Sequence, residues 1–114
     1  MKPVIKTKFV AALRSGNYQK GTGRLRKGAK FCVMGVLCNL HAKAHPKIAA
    51  EQHSADSYMG NAYRPSDAVC KWAGIGTQNS PEVTIKGKKA TLMNQNDLMR
   101  RSFAEMADAI EAQL

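Results

Sequence analysis

Acidic residues are missing from the first half of this 114-residue chain. Residues 1–50 hold eleven Lys or Arg and no Asp or Glu; the first acid is Glu51. The second half carries seven bases and eight acids, so the whole of the +10 formal charge belongs to the first half. Cations placed this way have no local carboxylate to neutralise them. A field of one sign attracts polyanions and speeds their arrival. The chain also lacks any apolar run near the roughly 18–20 residues that a membrane helix requires. Its first 30 residues lack the continuous apolar core, about 7–15 residues long, of a cleaved export signal. The expectation is a cytoplasmic protein with no membrane partner.

Cysteine is sparse and odd in number: Cys32, Cys38 and Cys70. Without an export signal these read as reduced thiols, and Cys32 and Cys38 sit in apolar company, as small buried hydrophobes do. Two chemical sites fall short of their parts. Cys38, His41 and His45 lie at i, i+3 and i+7, on one helix face, and with Cys32 they spell C-x5-C-x2-H-x3-H. Structural zinc sites space their cysteines more closely, and Cys32 would point away from the other three on a continuous helix. His45 at a helix end is favoured by the dipole without any metal. A Cys38–His41 nucleophile pair would need a third group to orient the base, and no acid lies nearby in sequence. The P-loop pattern is absent. No catalytic residue, cofactor or metal is therefore assigned.

Hydrophobic residues make up 44% and charged residues 23%, ordinary values for a globular chain, and the length suits one domain spanning residues 1–114. Pro3 opens a helix whose stripe is Ile5, Phe9 and Leu13, ended near Ser15 by Gly16. Asn17 to Lys30 reads as a glycine-punctuated basic loop with a short strand around Arg24–Arg26. Val33–Ala44 is expected to be a buried helix, with Phe31 and Cys32 extended. Gly35 there suggests close packing, and Pro46 a stop. The stretch 48–64 reads as a long loop with a helical turn over Ile48–His53, and 77–81 as another loop. A helix follows Pro65, with Val69, Trp72 and Ala73 as its apolar face and Gly74 as its end. Val83–Leu92 reads as a hairpin turning at Gly87. Ser102 and Glu105 form a capping box for a last helix, with Phe103, Met106, Ala107, Ile110 and Leu114 on its apolar face. Glu105, Asp108 and Glu111 read as its solvated face, or as a partner for the basic half of another copy, which would allow self-association. The fold class is α+β, a small, mainly helical domain with four main helices and one short β-hairpin.

The candidate site is the stretch 20–30, with Lys20, Arg24, Arg26, Lys27 and Lys30. Glycines among cations let backbone N–H groups turn toward an anion, and Arg24 and Arg26 can grip phosphate bidentately. Tyr18 is placed to stack on a base and Gln19 to read an edge; the plainer role is that Tyr18 and Leu25 anchor the loop. Lys86, Lys88 and Lys89 at the hairpin tip would extend the surface. A competing surface is aromatic: Tyr58, Met59, Tyr63 and Trp72 as hot spots of a protein–protein inhibitor.

The run Leu13-Arg14-Ser15-Gly16-x-Tyr18-Gln19-x-Gly21-x-Gly23-x-Leu25-Arg26, followed by Phe31-Cys32-x-x-Gly35-Val36-Leu37-Cys38-x-Leu40, resembles a family of small phage and prophage proteins. Trp72-Ala73-Gly74, Asn96-Asp97 and Ser102 to Asp108 extend the resemblance over most of the chain outside 47–64. Val33-Met34 departs from it, standing where Cys-Leu is expected. The resemblance implies phage origin and a host-cytoplasmic setting, and transfers no site residue. The combined expectation is a non-enzymatic binding protein for an anionic ligand: nucleic acid, a nucleotide, or the nucleic-acid-binding groove or acidic surface of a host complex. Its role would be host takeover or counter-defence.

Overall fold

The computed structural model describes residues 1–52, 56–76 and 80–114. Helix α1 (Pro3–Arg14) buries Ile5, Phe9, Val10 and Leu13, the predicted stripe. Three two-residue strands follow: β1 (Gln19–Lys20), β2 (Arg26–Lys27) and β3 (Lys30–Phe31). They form one small sheet in the order β1-β3-β2, with β1 parallel and β2 antiparallel to β3. Helix α2 (Val33–Ala44) comes next, then the short α3 (Pro46–Ala50) and α4 (Asp67–Ala73). Strands β4 (Glu82–Ile85) and β5 (Lys88–Thr91) pair antiparallel. Lys86 and Gly87 link them, both at positive φ (51° and 77°), as the twist-matched two-residue hairpin turn requires. Two helices complete the chain, α5 (Leu92–Asp97) and α6 (Phe103–Gln113).

Helix α2 sits at the centre. Val33 to Cys38 are buried without a break, so this helix needs cover on several sides. Helices α1, α3, α4 and α5 and strand β3 supply it. Helix α6 packs along α1 and against β4, closing the core with Phe103, Met106, Ala107 and Ile110. Its capping box has both bonds: the Ser102 hydroxyl accepts from the Glu105 N–H at 3.1 Å, and the Glu105 carboxylate accepts from the Ser102 N–H at 3.0 Å. All three cysteines are buried. Burial pushes the Cys32 thiol up to about 11, and its sulfur caps α2 by accepting from the Gly35 N–H.

The α+β class stands, but the inventory is larger than four helices and a hairpin. Six helices and two small sheets are present among the described residues. The basic segment is not a loop with one strand at Arg24–Arg26; the strand is Arg26–Lys27 and it belongs to a sheet. Strands of two residues are too short to show alternation. Pro46 ends α2 and also opens α3, because its missing N–H is harmless in a first turn. The expected turn over Ile48–His53 is helical only to Ala50, and His53 lies outside the described residues, as do 77–79 of the expected 77–81 loop. Helix α5 had no signal because its buried side chains include the polar Gln95 and Asn96.

The close packing expected at Gly35 is a backbone contact. A Cβ at Gly35 would lie 1.7 Å from the Leu25 carbonyl oxygen, so the basic segment rests directly on α2. Gly35→Ala must lift that segment off the helix, and a loss of about 3 kcal/mol or more of stability is expected. Denaturant unfolding of this variant checks the contact; an unchanged midpoint would show that the segment is not seated there.

Candidate anion-binding site

The cations are held by three anchors. Leu25 is buried; its N–H donates to the Ala62 carbonyl at 2.8 Å and its carbonyl accepts from the Cys32 N–H at 3.2 Å. Tyr18 is half-buried, edge-on to Phe31, and its hydroxyl donates to Asn39 Oδ1 at 2.6 Å. The anchoring role thus holds for both residues, and Tyr18 is engaged where a base was expected to stack. The third anchor is the fully buried Asn96. Its Oδ1 accepts from the Val33 N–H at 3.0 Å, and its Nδ2 donates to the Gly21 carbonyl at 2.9 Å and to Asp97 Oδ1 at 2.7 Å. One side chain therefore ties α5 to the start of α2 and to the basic segment.

On this frame Lys20, Gly21, Thr22, Arg24, Lys27 and Lys30 line a recess of about 280 Å³. Strand register explains part of the grouping. Lys27 pairs with Lys30, and Lys30 with Gln19, so these three form one cross-strand row; Arg26, Phe31 and Lys20 form the other. Two lysines directly opposite each other repel, and such a pair costs stability. Among the described residues no ion pair takes Lys20, Arg24, Lys27 or Lys30. Lys20 Nζ instead donates to the Asn96 carbonyl at 3.0 Å, and the Arg24 guanidinium lies 5.1 Å from the centre of the Tyr63 ring. One backbone amide at the glycines is already satisfied by an anion of this chain: the Gly23 N–H donates to Asp97 Oδ1 at 3.2 Å.

Of the other expected site residues, Gln19 stays in the row of Lys27 and Lys30 and the rest are set apart. Arg26 lies in the opposite row, its guanidinium 5.0 Å from the Phe31 ring centre and its Nε donating to the Gly28 carbonyl. Gln19 is exposed beside Lys30. Lys86 is paired with Glu105 at 3.1 Å, while Lys88 and Lys89 are exposed on β5; none of the three lines the recess. The acidic face of α6 is exposed but engaged. Arg14 binds Asp108 at 2.7 Å and Glu111 at 3.0 Å, which holds the Glu111 carboxyl below its usual range. Periodicity shows which residues face outward but not which distant arginine meets them. The aromatic surface is broken up: Tyr58 is buried, Met59 and Trp72 are half-buried, and Tyr63 is 55% exposed.

Cys38 and His41 form no activated pair. Burial raises the Cys38 thiol well above its ordinary value, the reverse of what a nucleophile needs. His41 Nδ1 meets the Tyr58 hydroxyl at 2.7 Å, and its ring stacks on His45 with centres 4.0 Å apart. Among the described residues no group of three His, Cys, Asp or Glu side chains is placed to hold a metal ion, and no helix is long and apolar enough to cross a membrane.

The Domain of unknown function family DUF8296 has a model that matches residues 1–114. The chain belongs to that family. No curated protein and no solved structure matches it. For this DUF8296 chain the site therefore rests on its own geometry.

Burial, and then the neighbouring His45, hold the His41 imidazole below its ordinary value of 6.5. The unfolded chain then binds a proton at pH values where the folded chain does not. The neutral imidazole's contribution to stability is complete above pH 6.5 and is lost as pH falls from there toward the folded value. Denaturant midpoints measured through this range should fall with acidification, and His41→Gln should flatten the fall.

Proposed function

We propose that this protein is a non-enzymatic module that binds a phosphate-bearing polyanion, a nucleic-acid strand, at the recess formed by Lys20, Arg24, Lys27 and Lys30. The observation that carries this reading is the Lys27–Lys30 cross-strand pair, which sits in the recess with no carboxylate partner among the described residues. A fold that tolerates this repulsion gains it back when phosphates bridge the two ammonium groups. Arg24 adds a planar donor suited to phosphate, and Tyr63 beside it offers an exposed ring for a base. The resemblance to small phage and prophage proteins supports a setting in the host cytoplasm and a role in host takeover or in neutralising a host defence. An acidic protein surface shaped like nucleic acid would meet the same cations.

Anisotropy titration of labelled single- and double-stranded oligonucleotides against salt tests the reading. Affinity should fall linearly with salt on logarithmic axes. Replacing Lys27 and Lys30 together by Gln should reduce that slope by about 1.4 to 1.8. The same double variant should be more stable than the parent by about 0.2–1 kcal/mol, because a like-charge pair has been removed. Oligonucleotide binding that does not respond to salt or to this variant, or no binding at low salt, overturns the proposal. Salt-insensitive capture of one host protein would favour an inhibitor acting through another surface.

A further inference from the structure

A second depression lies elsewhere, against α2. It has a volume of about 460 Å³, and its walls include Leu25, Arg26, Phe31, Cys38, Asn39, Ala42, Gln52 and Tyr58. That volume is in the range of small-molecule sites, about 300–1,000 Å³. Two features define what it would accept. Its lining includes the apolar side chains of Phe31, Cys38, Ala42 and Ala49. Its polar side chains are Arg26, Asn39, Gln52, Ser57 and Tyr58. Asn39 Oδ1 accepts from the Tyr18 hydroxyl at 2.6 Å, and its amide NH₂ has no partner among the described residues. Lys43 Nζ donates to the same hydroxyl, so the hydroxyl proton is turned toward Asn39. Gln52 Oε1 accepts from the Met59 N–H at 3.0 Å, and its NH₂ has no partner among the described residues. Arg26 spends its Nε on the Gly28 carbonyl and keeps its terminal nitrogens. Arg26, Asn39 and Gln52 thus bring unpaired donors to a partly apolar lining, beside the Ser57 and Tyr58 hydroxyls, and no carboxylate pairs with the Arg26 charge among the described residues.

We propose that this cleft binds a small planar molecule with one acidic group. Its ring lies against Cys38 and Ala42, and its carboxylate or phosphate takes the Arg26 guanidinium, which stands 5.0 Å from the centre of the Phe31 ring. Asn39 and Gln52 donate to acceptors on the ring. The site is distinct from the recess, because no residue lines both. Two kinds of molecule share this chemistry: a nucleoside monophosphate and an aromatic carboxylate.

The experiment is titration of the ¹⁵N-labelled protein with adenosine 5′-monophosphate and with 1-naphthoate. Each is run beside its neutral counterpart, adenosine or 1-naphthalenemethanol. At least one acid should shift the amide signals of Phe31, Cys38, Asn39 and Ala42. It should bind about ten-fold more tightly than its neutral counterpart, as expected for a charge-assisted contact. Which acid does so identifies the source. Arg26→Gln should remove that difference, and Ala42→Leu, which fills the cleft, should abolish binding of acid and neutral compound alike. If Ala42→Leu does not fold, the exposed Arg26→Gln still decides the matter. Absence of shifts at these amides with both acids up to about 5 mM overturns the proposal. So does binding that survives Arg26→Gln and is lost when Lys27 and Lys30 become Gln, since that ligand would sit in the recess.

Discussion

The display of charge depends on the missing side chain at Gly35. The Leu25 carbonyl occupies the space where any Cβ would stand, so the cationic segment is pressed against the central helix backbone to backbone. Leu25 is then fully paired through its N–H and carbonyl and buried through its side chain. A residue in the middle of a five-cation stretch becomes a core residue, and the contacts of its two neighbours set them apart. Arg24 goes toward Tyr63 and the recess, and Arg26 goes toward Phe31 and the apolar cleft. Cations on a free loop would spread out under their own repulsion. Here each has a fixed origin.

The fold also redistributes charge in a way that composition conceals. Asp97 reaches the Gly23 amide, Asp108 and Glu111 reach Arg14, and Glu105 reaches Lys86. These acids come from the last quarter of the chain, and two of them, Asp108 and Glu111, pair with a cation of the first half, Arg14. The exposed Arg14 pairs contribute little to stability, as surface ion pairs generally do. Their larger consequence is positional. They engage Asp108 and Glu111 of α6 and leave Lys20, Arg24, Arg26, Lys27 and Lys30 without an ion pair among the described residues.

Sequence made the long elements legible because each advertises itself over several turns. The α1 stripe, the limits of α2, the cap and end of α4, the hairpin turn and the α6 capping box were all readable from spacing and end signals. The short elements were not. A two-residue strand has no period, and the six-residue α5 buries Gln95 and Asn96, which polarity assigns to solvent. For the site, the basic stretch itself was readable, as was the risk that Tyr18 and Leu25 serve as anchors. The division of its cations was not, because it follows from cross-strand register, and register in so short a sheet is set by Leu25, Gly35 and Asn96 together. The hairpin lysines looked like an extension of the same surface only because sequence carries no information on which face a second sheet presents.

The two buried amides in α5 explain how a repulsive cluster can hold its shape. Gln95 Nε2 donates to the carbonyls of Val83 and Lys88, one on each strand of the hairpin, while Asn96 holds Gly21 and the first turn of α2. Each of these bonds, once buried, costs about 1–3 kcal/mol to leave unmade. That exceeds the fraction of a kcal/mol at stake in a cross-strand lysine pair. The groups that set geometry are neutral, so neither pH near neutrality nor added salt alters them. The groups that create the field are charged and reach solvent, so salt screens them. Positioning and attraction therefore reside in different residues. The recess keeps one shape across conditions while its pull on an anion varies, which is the arrangement a reversible electrostatic binding surface requires.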